Sequence, residues 1–166
     1  MNAYQPDPET VATQARSDES LTETLLEETT GQNHVDVIET VISSLEQNQS
    51  AMVSHTADGY LWKFTYGSVE VFVQLTGLTD EDTFTVWSTV LPLPAKDEGR
   101  LMRKLLEMNW SDTFEARFGI FNSCVVILSS RTVAELSPGE ISRAITVVAT
   151  IADDNDDALQ HEFGAA

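Results

Sequence analysis

A chain of 166 residues with 42% hydrophobic content is long enough for one domain with a sizeable core, alone or with a disordered tail. Its 27 acidic residues against nine basic ones leave a net charge of -18, which repels nucleic-acid phosphates and anionic membrane surfaces, so neither is expected as a partner. The single cysteine, Cys124, excludes an intrachain disulfide, and no run approaches the ~18 consecutive apolar residues of a membrane span. Met1 to Thr10 lacks the positive and apolar regions of a secretory signal, so the expected location is cytoplasmic.

Acid is concentrated at the start of the chain. Over residues 1–30, Asp7, Glu9, Asp18, Glu19, Glu23, Glu27 and Glu28 face Arg16 alone, which predicts a largely disordered acidic arm. Within it Leu21, Leu25 and Glu28 share a thin helical face. Residues 31–163 are expected to form one domain, with 164–166 as a tail.

From Asn33 the pattern becomes helical. Ile38, Val41, Ile42 and Leu45 recur on one face, with Asn33 as a candidate N-cap and Asp36 in the first turn. A weak strand over Ala51–His55 leads to a turn at Asp58-Gly59. Trp62, Phe64 and Tyr66 then alternate with polar positions, and Gly67-Ser68 reverses the chain into Val69, Val71, Val73 and Leu75. A two-residue turn sets Phe64 opposite Val71 and Trp62 opposite Val73, so both strands present one apolar face. Lys63 and Glu70 fall diagonally on the reverse face. A third main strand runs from Thr83 to Leu91.

After Leu91-Pro92-Leu93-Pro94 a second helix is expected, with Leu101, Met102, Leu105 and Leu106 as its buried stripe and Asn109 as its C-terminal residue. Strands over Thr113–Phe121 and Cys124–Ser130 meet at Asn122-Ser123. Ser137-Pro138-Gly139-Glu140 places an N-cap serine before a proline and a glutamate, and starts a last helix with Ile141, Ala144, Ile145, Val148, Ile151 and Ala152 inside. The elements predict an α+β fold in which an antiparallel sheet packs with helices, in the order α-β-β-β-α-β-β-α.

That order, the run Leu101-Met102-Arg103-Lys104-Leu105-Leu106-Glu107-Met108-Asn109-Trp110, the Phe118-Gly119-Ile120 strand and the helix start Leu136-Ser137-Pro138-Gly139-Glu140-Ile141 resemble the YbjN-type bacterial domain. The resemblance covers roughly Asn33 to Leu159. That family is similar in fold to the small dimeric chaperones of type III secretion. The resemblance implies an α+β sandwich, dimerisation and a protein-binding or regulatory role, and it carries over no catalytic residue.

No side-chain constellation points to a reaction. Asp153-Asp154-Asn155-Asp156-Asp157 has the spacing of calcium ligands at Asp153, Asn155 and Asp157, but Ala158 and Gly164 stand where the loop needs glycine and a bidentate glutamate, so the run reads as a solvated, fraying helix end. His34, His55 and His161 are scattered, and no histidine adjoins Cys124. Glu115 and Arg117, at strand spacing, read as a surface charge pair rather than as an acid and its partner. No catalytic residue, metal or cofactor is expected.

Two surfaces stand out. Lys96, Arg100, Arg103 and Lys104 lie on one face of the second helix and suit either helix solubilisation or an acidic segment from a partner or from the arm. Leu61, Phe72 and Trp87 point to the reverse face of the first strands, among Lys63, Thr65, Glu70, Gln74, Thr85 and Thr89, a mixed surface suited to association. The reading is a non-enzymatic, homodimeric protein-binding module, chaperone-like, adaptor or regulatory, whose partner or dimer contacts are Leu61, Phe72, Trp87, Arg100, Arg103 and Lys104. The rival is a small-molecule sensor or enzyme with a dispersed site. A third reading takes the exposed apolar residues as core covered by the arm.

Overall fold

A computed structural model describes residues 33–46, 51–57 and 59–165, so the acidic arm and Asp58 lie outside the described residues. Helix α1 occupies residues 33–45. Four strands follow: β1 (Met52–Thr56), β2 (Gly59–Tyr66), β3 (Val69–Leu75) and β4 (Thr83–Pro92). Helix α2 (Glu98–Ser111), strands β5 (Arg117–Phe121) and β6 (Cys124–Thr132), and helix α3 (Pro138–Phe163) complete the order. The α+β arrangement expected from the sequence is present, with the weak strand near residue 52 realised as β1. Asn33 is already helical instead of preceding the helix.

The strands form one antiparallel sheet in the order β1-β2-β3-β4-β6-β5. The two-residue reversal at Gly67-Ser68 sets Phe64 opposite Val71 and Trp62 opposite Val73, as the alternation requires. Because side chains alternate along each strand, this register fixes which residues face the helices. One row crosses five strands as Phe64, Val71, Ser88, Ile127 and Phe118, and every member is buried. Ser88, the polar member, donates its hydroxyl to the Glu70 carbonyl at 2.8 Å. These side chains join Val35, Ile38 and Ile42 of α1, Leu101 and Leu105 of α2 and the inner face of α3 in one core. Each fully buried aliphatic or aromatic side chain contributes about 1.5–3 kcal/mol relative to exposure.

Helix α3 is the spine of the helical layer. Ser137 accepts the Glu140 backbone N–H while the Glu140 carboxylate accepts the Ser137 N–H, a reciprocal cap, and Pro138 occupies the first turn. Ile141, Ala144, Ile145, Val148, Ile151 and Ala152 are buried as their period predicts. The acidic run does not fray: α3 continues to Phe163. Asp153 Oδ1 accepts the Ser68 backbone N–H at 2.7 Å and its hydroxyl at 3.0 Å, and the same hydroxyl donates to Asp156 Oδ2 at 2.9 Å. The carboxylates thus clasp the β2–β3 reversal, a long-range role that local spacing does not encode. Gly67 has φ +54 and carries no Cβ where one would lie 2.0 Å from Asp153 Oδ1.

Three further expectations are corrected. The segment before β5 is a turn, not strand: Phe114 has φ +52, and Arg117 hydrogen-bonds the carbonyls of Phe114 and Ala116. Glu115 therefore pairs with Arg143 of α3 and not with Arg117, and this partner holds its carboxyl below the ordinary range. Asn109 does not end α2 but sits inside it. Its amide accepts the Phe118 N–H at 2.7 Å and donates to the Phe118 carbonyl at 3.3 Å, pinning β5 to the helix.

Candidate functional site

All three helices feed their apolar residues into one face of the sheet, and the opposite face carries a second row, one residue out of step with the buried one. It runs Lys63, Phe72, Trp87, Leu128 and Arg117 across β2, β3, β4, β6 and β5. Phe72, Trp87 and Leu128 are half-buried. The Phe72 and Trp87 rings stack at 5.3 Å with 11° between their planes, and Phe121 meets Trp87 edge-on at 6.3 Å. Lys63 lies 5.7 Å from the Phe72 ring centroid and pairs with Glu70 at 2.5 Å, the diagonal partner expected from the register. Leu61 stands on the same face opposite Gln74.

Beside this row the surface dips into a depression of about 280 Å³ lined by Gln74, Thr85, Trp87, Ile120, Phe121 and Leu128. Thr85 and Ser130 hydrogen-bond each other at 2.7 Å across β4 and β6, so these two hydroxyls satisfy one another at the edge of an otherwise apolar surface. Such a face, with an aromatic centre and a rim of hydroxyls, an amide and a lysine–glutamate pair, has the composition of an association surface. The structure therefore brings Leu61, Phe72 and Trp87 to one face, as the alternation of the strands requires.

The cations of α2 are placed elsewhere. Arg100 and Lys104 both pair with Glu162 at the end of α3, at 3.2 and 2.6 Å, and both lie over the Phe163 ring. The hydrogen bond from Lys104 holds the Glu162 carboxyl below its ordinary range. Arg103 pairs with Glu107 on its own helix at 3.2 Å. Lys96 precedes α2 instead of lying on it, and its backbone N–H donates to the Phe163 carbonyl. The acidic segment that meets this stripe is thus the chain's own α3, a pairing across 58 residues in the case of Lys104 and Glu162.

The stripe expected on α2 also divides. Leu101 and Leu105 are buried and Met102 is half-buried, but Leu106 is 68% exposed. It stands beside Trp110, 93% exposed, and Phe114, 71% exposed, follows one turn beyond. Leu106 fails as core because it lies about 100° around the helix from Leu105, which already faces the sheet layer. Trp110 and Phe114 were readable as apolar residues continuing that arc, but their solvent exposure depends on where α2 sits in the fold.

Among the described residues no group of three or more His, Cys, Asp or Glu side chains is arranged to hold a metal ion. His34 is buried and bonds through Nε2 to the Leu136 carbonyl at 2.8 Å, tying α1 to the start of α3. His55 stacks on Tyr60, and Cys124 opens β6. No helix among the described residues is long and apolar enough to cross a membrane.

Comparison with solved structures finds a likeness to the chain described as "Crystal Structure of the ExsC-ExsE Complex", with a TM-score of 0.45 and 15% sequence identity, covering 69% of this chain and 79% of that one. No curated protein matches. A family pattern matches residues 34–161, under the description "Putative bacterial sensory transduction regulator". That match spans well over half of the chain and takes in the sheet and all but the ends of the helical layer, and by it the chain belongs to the YbjN family.

Proposed function

We propose that this protein is a non-enzymatic, dimeric regulator that binds another polypeptide on the open face of its sheet. The observation that carries the reading is the half-exposed aromatic row of Phe72 and Trp87, left bare by the three described helices while the adjacent row is wholly buried. The family's description as a regulator supports it. Binding in this reading is burial of apolar surface around an aromatic anchor, with Lys63, Glu70, Gln74 and Thr85 supplying polar register. The depression beside Trp87, about 280 Å³, falls just below the ~300–1,000 Å³ typical of small-molecule pockets and suits one apolar side chain of the bound segment.

The test uses the full chain as affinity bait in its native cell, with Phe72→Asp and Trp87→Ala alongside. A polypeptide held by the native chain and released by both variants, each with unchanged circular dichroism, supports the reading. Equal recovery by all three contradicts it. The small-molecule reading is tested in the same material, since a ligand retained in the Trp87 depression through native purification and lost in Trp87→Ala would favour a sensor.

A further inference from the structure

The open face of the sheet differs in charge from the chain that carries it. By the strand register its charged members are Lys63, Glu70 and Arg117, a net of +1 in a chain of -18. Lys63 is paired with Glu70. Arg117, at the far end of the aromatic row, hydrogen-bonds the carbonyls of Phe114 and Ala116 but forms no ion pair among the described residues, a state that only Lys96 shares among the described lysines and arginines. At the other end the row extends past Lys63 to Met52 on β1, 68% exposed. A face with a half-buried aromatic centre and an unpaired cation at its margin suits an occupant that brings apolar and acidic side chains together.

We infer that the resting occupant is the chain's own acidic arm, residues 1–32, laid over Phe72 and Trp87 through Leu21, Leu25 and Leu26. The inference rests on the open-face reading above and deepens it, because the arm then holds the site until the bound polypeptide displaces it. Charge selects the arm. Seven acidic residues against Arg16 give it a net of -6, and Glu19, Glu23, Glu27 and Glu28 flank the three leucines. A face of +1 accepts such a segment, whereas the exposed strip of α2 repels it: residues 106–115 carry Glu107, Asp112 and Glu115 and no cation. A second copy would bring a further -18 to the same face.

Reach is sufficient. The bond from His34 to the Leu136 carbonyl fixes the start of α1, where the arm ends. Leu136 closes the turn after β6, in which the Val133 N–H donates to the Asp82 carbonyl beside the Thr83–Thr132 end of the sheet. From Thr83 to Trp87 along β4 is about 13 Å, and crossing the layer adds about 10 Å. The chain from Asn33 back to Leu25 spans about 26–29 Å when extended. Tethering gives the arm an effective concentration in the millimolar range, so a contact of modest affinity keeps the face covered and still yields to a tighter polypeptide.

The test places a nitroxide on Ser20→Cys in the full chain carrying Cys124→Ser and reads the tryptophan indole N–H signals by NMR. The expected result is loss of more than half of the Trp87 signal with a smaller loss at Trp110, and recovery of Trp87 when Leu21→Asp and Leu25→Asp are added. A Trp87 signal that is indifferent to the leucine changes overturns the inference. So does a loss that arises between separate copies, seen when spin-labelled and isotope-labelled chains are mixed, since it assigns the cover to a second copy. A further measurement leaves Cys124 in place: emission of the apolar dye anilinonaphthalene sulfonate is expected at least to double in Leu21→Asp/Leu25→Asp over the native chain, and equal emission overturns the cover. Neither readout needs a partner. A bare face that still holds a polypeptide therefore sinks the arm alone, while a covered face on a chain that recovers no polypeptide sinks the open-face reading and leaves the arm as a permanent cover.

Discussion

Two rows of side chains cross the same five strands one residue apart, and they have opposite fates. Phe64, Val71, Ser88, Ile127 and Phe118 are sealed under the helices, whereas Lys63, Phe72, Trp87, Leu128 and Arg117 remain half-buried or exposed. Both rows carry apolar side chains on their inner strands, Val71 and Ile127 in one and Phe72, Trp87 and Leu128 in the other, so hydrophobicity alone does not separate core from surface. What separates them is the position of the helices and the ends of each row: the buried row closes on aromatic side chains, Phe64 and Phe118, while the open row closes on cations, Lys63 and Arg117. An aromatic centre with charged ends, exposed on a sheet, is suited to a reversible contact.

The comparison can be sharpened by mutation. Phe64→Ala is expected to cost about 3–5 kcal/mol in denaturant unfolding, because it leaves a cavity under the helices. Phe72→Ala, one row away, is expected to cost about 1 kcal/mol, the value of an aromatic pair on an accessible face. Similar losses for the two would mean that the open row is core in solution. Ser137→Ala removes the α3 cap and is expected to lower stability by about 1 kcal/mol, acting on the buried row through the helix that covers it. Asp153→Ala releases the Ser68 clasp, for about 0.5–1.5 kcal/mol by the usual value of such hydrogen bonds. Hydrogen exchange should localise the loss to the β2–β3 reversal.

The smallest effect concerns pH. Glu162 and Glu115 are held below the ordinary carboxylate range by Lys104 and Arg143. A carboxyl with a depressed folded-state pKa contributes stability above its unfolded pKa, near 4.3 for glutamate, and loses that contribution as pH falls through the folded value. Glu162→Gln is therefore expected to melt slightly below the native chain at pH 7 and level with it well under pH 4. A gap that stays constant across that range would show that Glu162 acts through packing, not through charge.

Much of the fold was readable in the sequence because local signals agreed with one another. Gly67-Ser68 dictates a two-residue reversal, and that reversal alone places Trp62 and Phe64 inside and Phe72 outside. The Ser137-Pro138-Gly139-Glu140 start was likewise sufficient for α3. The misreadings share a cause, which is dependence on contacts between residues distant in the chain. Leu106 belongs to an apolar arc wider than the side of α2 that meets the core, and only the docking of the helix decides which end of the arc is buried. Local spacing assigns Asp153 to a solvated helix end because its partner, Ser68, is 85 residues away. Arg100 and Lys104 of α2 likewise meet Glu162, a partner that is invisible from their own helix.

The most direct test of the central claim is recovery of a bound polypeptide by the full chain, compared between Phe72→Asp and Trp110→Ser, a change at the exposed end of α2, at equal circular dichroism. The open-face account predicts that Phe72→Asp loses the bound polypeptide and Trp110→Ser retains it. Retention by Phe72→Asp with loss in Trp110→Ser would contradict it and move binding to α2.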